Sequence, residues 1–162
     1  MTIKTKIKSL YSFDIFDTLV TRRIATPSGV FAIMQDILQA KTNINTFVCN
    51  NFYKIRIGAE EFARHKNMQI KKCSEVNINE IYQIIKDNYN LSLEEIQFLK
   101  NLEIDTEIKN LLPIQNNIEL LKNYIKSGER VVLISDMYYG ANDLRNLLNK
   151  IDPIFDSMTI YS

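Results

Sequence analysis

The chain has 162 residues, with 20 lysines and arginines against 19 aspartates and glutamates, one histidine and two cysteines. A hydrophobic share of 46% beside 24% charged residues is that of a globular chain and excludes a disordered one. A net charge of +1 supplies no field to draw in nucleic acid or an anionic membrane. The single imidazole, His65, and the widely separated Cys49 and Cys73 exclude a zinc site of nitrogen and sulfur ligands. The start of the chain carries Lys4, Lys6 and Lys8, and the apolar run behind it is cut by Asp14 and Asp17, which is not the pattern of a signal peptide. No apolar stretch reaches the roughly 18 residues a bilayer span needs. The expectation is a reduced, cytoplasmic protein that neither inserts in a membrane nor binds nucleic acid.

In chain order, Leu10 to Phe16 is short, apolar and rich in aromatic residues, and it predicts a buried strand. Pro27 suits the opening of a helix, and residues 30–38 carry apolar side chains at helical spacing. Thr46 suits the cap of a longer helix over 47–66, whose Phe52, Ile55, Ala59 and Phe62 recur at three- and four-residue steps. A third helix is predicted over 79–88, with Ile81, Ile84 and Ile85 on one face. Ser92 and Glu95 form a capping box that opens a fourth helix toward Asn110, and Pro113 breaks it. From about residue 24 to 112 the pattern is helical throughout.

The character then changes. Residues 117–126 predict a helix ended by Ser127-Gly128, and Arg130-Val-Val-Leu-Ile-Ser135 predicts a strand buried on both faces. A turn over 136–140, a helix over 142–149, a break at Asp152-Pro153 and a last strand over 158–161 follow. Strands alternating with helices give right-handed crossovers and a parallel sheet, whose chemistry gathers at the carboxyl ends of its strands.

Two such ends carry reactive side chains. Phe13-Asp-Ile-Phe-Asp-Thr18 sets two carboxylates and a hydroxyl after the first strand. A carboxylate there serves as a nucleophile or as a hard-oxygen ligand for Mg²⁺, and equally as a turn residue. Ser135 either donates to an oxygen on which charge develops or begins the turn, and Asp136 binds a cation or faces solvent. Arg22, Arg23, Arg56, Arg64 and His65 are candidates for gripping an anion, with Arg22 and Arg23 nearest the first strand end.

Together these features resemble the haloacid dehalogenase-like superfamily of hydrolases. Asp14-Ile-Phe-Asp-Thr18 resembles its motif I, Ile134-Ser135 after Val131-Val-Leu resembles motif II, and the helices between resemble the C1 cap. The wording is similar to predicted hydrolases found with bacterial surface-polysaccharide genes. The resemblance implies a Rossmann-like parallel core of residues 1–23 and 112–162, with a helical cap over 24–111. It implies Mg²⁺-dependent hydrolysis of a small phosphorylated metabolite through an aspartyl-phosphate on Asp14. Mg²⁺ is then held by Asp14 and the Phe16 carbonyl, Ser135 binds a phosphoryl oxygen and Thr18 braces the loop, while Arg22, Arg23 and Asp136 line the substrate. Phe16 stands where phosphatases of the superfamily carry a second Asp, and the chain reaches Ser162 before the Lys and acidic residues of motifs III and IV. Two other readings therefore stand beside the first. One is a catalytically inactive binding module whose open first-strand edge is covered by self-association or a partner chain. The other is a dehalogenase or phosphonate hydrolase.

Overall fold

The computed structural model describes residues 9–41 and 44–162, so the basic start of the chain, read above as unlike a signal peptide, lies outside the described residues. In chain order come β1 (Leu10–Asp14), β2 (Val20–Arg22), α1 (Gly29–Lys41), α2 (Thr46–Lys71), α3 (Ile78–Tyr89) and α4 (Leu93–Asn110). Then follow β3 (Leu111–Pro113), α5 (Gln115–Lys126), β4 (Arg130–Ile134), α6 (Ala141–Asn149), a 3₁₀ turn (Pro153–Ser157) and β5 (Thr159–Tyr161). The fold is mixed α/β. β1, β4 and β5 form a parallel sheet in that order, with Asp14 in register with Ile134 and Ile134 with Tyr161.

The helices start where side chains take up their free amide groups. Asn77 and Glu80 form a reciprocal capping box at α3, as Ser92 and Glu95 do at α4. The α2 cap is Asn45, whose side chain accepts from the Phe47 amide, so the helix already includes Thr46 and runs past the predicted 66 to Lys71. α5 ends at Gly128, whose φ of 77° is the left-handed geometry that favours a residue without a side chain. β2 and β3, which helical patterning obscured, form a two-stranded antiparallel pair at the root of the four helices between them. One continuous core spans these helices and the sheet, from Phe52 and Ile81 to Leu133, Leu147 and Phe155.

Three expectations about burial are corrected. Phe62 is 60% exposed, and Ala63 takes the buried position next to it. β1 is an edge strand that alternates between exposed and half-buried residues. β4 is not buried on both faces. Tyr11 and Phe13 turn to Tyr124 of α5, with ring centroids 3.9 and 6.2 Å away, and Leu133 and Ile160 are buried. The opposite face leaves Leu10, Ile134 and Tyr161 exposed. Parallel sheets normally bury both faces. Here one face and the β1 edge are open among the described residues.

The core makes a contrast that equilibrium unfolding in urea will measure. Phe52→Ala, at a fully buried position, should cost about 3–5 kcal/mol, whereas Leu93→Ala, at a position 74% exposed, should stay within about 0.5 kcal/mol.

Candidate active site at the strand ends

Adjacent parallel strands in register bring their carboxyl ends side by side. Asp14 closes β1 beside Ile134, and Ser135 follows at once, its amide donating to the Tyr161 carbonyl at 2.9 Å. Asp14 is exposed and Ser135 is 6% exposed. The Thr18 hydroxyl donates to Asp14 Oδ2 at 3.2 Å, which closes the turn back onto the carboxylate. That turn is held from outside: Asn117 Nδ2 donates to the Thr18 carbonyl at 2.7 Å and the Ile114 amide to the Leu19 carbonyl at 2.9 Å. Asp17 sits within it at φ 57°, a conformation Asp tolerates, and accepts from the Thr21 hydroxyl at 2.9 Å. Phe16 makes an isolated bridge with Val20. Ser135 Oγ accepts from the Met137 amide at 3.2 Å, which shapes the second turn.

A hollow of about 400 Å³ opens beside the second turn. Ser135, Asp136 and Met137 form one wall, and Lys71, Cys73 and Glu80 from the helical side form the other. Asp14 and Thr18 do not line it. Lys71 is paired with Glu80 at 2.6 Å, and that bond lowers the Glu80 pKa against the smaller opposing effect of burial. Cys73 is exposed and Cys49 buried, and no disulfide joins them.

The arginines divide sharply. Arg23 is exposed, while Arg22 is turned inward, its Nε donating to Glu107 at 2.6 Å and its guanidinium lying 4.3 Å from the Phe16 ring centroid. Arg22 Nη2 is buried and has no hydrogen-bond partner among the described residues. Arg64 is bound to Glu60 and to the Ser74 carbonyl, and His65 is exposed. Arg56 is fully buried and forks onto Glu103 at 2.8 and 3.0 Å, with a third bond of 3.0 Å to Glu60.

This last pair is the centre of a polar cluster that reading the sequence missed. Tyr82 of α3 donates to Glu103 at 2.7 Å, and the Tyr139 hydroxyl lies 3.5 Å from both Glu103 and Glu107. The Arg56 guanidinium stands 4.4 Å from the Phe31 ring and 4.6 Å from that of Tyr138. Burial opposes the Arg56 charge, and the Glu103 carboxylate with the surrounding rings more than offsets it, so its pKa is raised and the guanidinium stays ionised. Burial likewise raises the Tyr82, Tyr138 and Tyr139 hydroxyls, which stay neutral. Tyr138 and Tyr139 belong to the turn that begins at Ser135, and the Tyr138 carbonyl accepts from the Ile78 amide of α3 at 2.8 Å. A signal was present in the sequence. Glu103 and Glu107 continue the stripe of Ile96 and Leu99 on α4, so buried carboxylates fall where apolar residues are usual.

The hard-oxygen donors at the first strand end, the Asp14 carboxylate and the Phe16 carbonyl, are of the type Mg²⁺ takes. No group of three His, Cys, Asp or Glu side chains able to hold a metal lies among the described residues. Also among the described residues, no helix is long and apolar enough to cross a membrane. The chain matches no family model, and no curated protein sequence matches it.

Two measurements test the cluster. Glu103→Leu leaves the Arg56 charge buried without its main partner and should cost about 3–5 kcal/mol in urea unfolding. Burial, the largest influence, raises the Glu107 pKa against the opposing pull of Arg22. Its contribution to stability is therefore complete below the ordinary glutamate range and is lost as pH rises through the folded value. Glu107→Gln removes that dependence, so the stability difference should move in the variant's favour as pH rises above the ordinary glutamate range.

Proposed function

We propose that the chain is a haloacid dehalogenase-like hydrolase domain that cleaves a small phosphorylated metabolite, with Asp14 as nucleophile. The observation that carries this reading is the placement of Asp14 and Ser135 at neighbouring carboxyl ends of parallel strands, with Thr18 bonded to the Asp14 carboxylate. In this reaction an Asp14 oxygen attacks phosphorus, the bond to the leaving oxygen breaks, and water then hydrolyses the acyl-phosphate to return the carboxylate and release phosphate. Ser135 donates to a phosphoryl oxygen as charge develops on it. Asp14 and the Phe16 carbonyl would hold Mg²⁺, which screens the carboxylate from an anionic substrate. Asp136 is exposed beside Ser135 at the hollow and Arg23 is exposed, while Arg22 is held inward by Glu107 and the Phe16 ring.

Proton supply is the weak step. Phe16 has no proton to give, and Asp17 is committed to Thr21. The leaving group must then take its proton from water, so phosphates of acidic leaving groups are the better substrates.

A second reading, a binding module without turnover, is favoured by the sheet face and β1 edge that are open among the described residues, since such an edge offers backbone donors and acceptors to a strand from another chain. Hydrolysis of p-nitrophenyl phosphate and acetyl phosphate with Mg²⁺ separates the two. The hydrolase reading expects turnover that Asp14→Asn abolishes and Ser135→Ala lowers by about 10²–10³, with simple alkyl phosphates cleaved more slowly. A folded wild-type protein without turnover supports the binding module, and turnover that survives Asp14→Asn contradicts the nucleophile assignment.

A further inference from the structure

The helical side of the molecule carries a groove that the hydrolase reading does not use. α2 has 26 residues and runs about 39 Å at the usual helical rise. Its inner face buries Phe52, Ile55, Ala59 and Ala63. Its outer face leaves Phe47 59% and Phe62 60% exposed. Between α2 and α3 lies a hollow of about 390 Å³ bordered by these two rings and by Tyr89, and it meets a second of about 570 Å³ at Ile84. Both are open to solvent.

Gly58 sits at the middle of the groove, on the helix and exposed. A glycine inside a helix is less favourable than an alanine. A Cβ at Gly58 would meet nothing within 4 Å among the described residues, so the helix surface is open there.

The groove is also complementary to itself in charge. Lys54 and Lys66 stand on its α2 side and Asp87 on its α3 side, and none of the three has an ion pair among the described residues. Phe47 stacks on Tyr89, so α3 runs back along α2 and carries Asp87 to the level of the groove.

We propose that the occupant is a second copy of this chain, and that the two α2 helices cross antiparallel about a two-fold axis at Gly58. An axis of this kind makes the residue upon it meet itself, and a residue without a side chain lets the two backbones approach. Lys54 and Phe62 lie four residues to either side of Gly58. The crossing therefore lays each Lys54 stem on the other copy's Phe62 ring, with its ammonium toward the other copy's Asp87. The paired surface covers Phe62 and Phe47, which are otherwise large exposed rings on one face. The inference is independent of whether the chain hydrolyses anything, and this contact is distinct from the β1 edge.

Light scattering at about 50 μM protein tests it, a concentration at which a specific interface of ordinary size is occupied. The wild type should show twice the chain mass, and Phe62→Glu, a change at an exposed position, should show the chain mass with an unchanged circular dichroism spectrum. In a Cys73→Ser background, Gly58→Cys should give a covalent dimer on mild oxidation, because only a residue on the axis crosslinks to itself. A wild type that is monomeric at this concentration overturns the proposal. So does a dimer that persists in Phe62→Glu and leaves Gly58→Cys uncrosslinked, since its contact then lies elsewhere.

Discussion

The rest of this structure depends on the Arg56–Glu103 ion pair, in which both side chains are fully buried. Removing two charges from water costs several kcal/mol per ion, and the attraction between them offsets this only when the geometry is good and the remaining donors are satisfied. Those conditions are met here. The fork of Arg56 is bidentate on Glu103, its third nitrogen reaches Glu60, and Glu103 takes a further bond from Tyr82. Aromatic rings from Phe31 and Tyr138 flank the guanidinium, so the cation meets quadrupoles where it does not meet carboxylates.

The partners come from different parts of the chain. Arg56 belongs to α2, Tyr82 to α3, Glu103 and Glu107 to α4, Tyr138 and Tyr139 to the turn after β4, and Arg22 to β2. A single polar cluster thus binds the helices to both turns that carry the candidate catalytic groups. The turn holding Ser135 rests on it through the two tyrosines, and the turn holding Asp14 rests on it through Arg22 and Phe16. The same arrangement explains why two arginines that suit an anion are withheld from solvent. Arg56 is an internal strut, and Arg22 holds down the ring of Phe16.

β4 and β5, the third and fourth helices and the capping box at Ser92 were legible because each rests on local chemistry: β-branched runs, apolar spacing and a side chain within reach of a free amide. β2 and β3 were not, since three residues are too few to show a period. Phe62 was misplaced because spacings of three and four both satisfy a helical stripe, and the structure puts the small Ala63 against the core. The apolar run of β4 suggested cover on both faces, but composition alone does not show whether a second layer exists. Asp14 and Ser135 were legible as strand ends, and their adjacency follows from the parallel register. The charge cluster was hidden because Arg56, Glu60 and Arg64 have the four-residue spacing of an ordinary solvated helix face.

The central claim, that one buried cluster holds both turns, is tested most directly by native-state hydrogen exchange in Glu103→Gln, which keeps the shape of the side chain and removes its charge. The amides to follow are Met137, bonded to Ser135 Oγ, Ile78, bonded to the Tyr138 carbonyl, and Ile114, bonded to the Leu19 carbonyl. If the cluster couples them, all three exchange faster by a similar factor under conditions where the protein remains folded. Acceleration confined to amides of α4, with the three turn amides unchanged, would contradict the account.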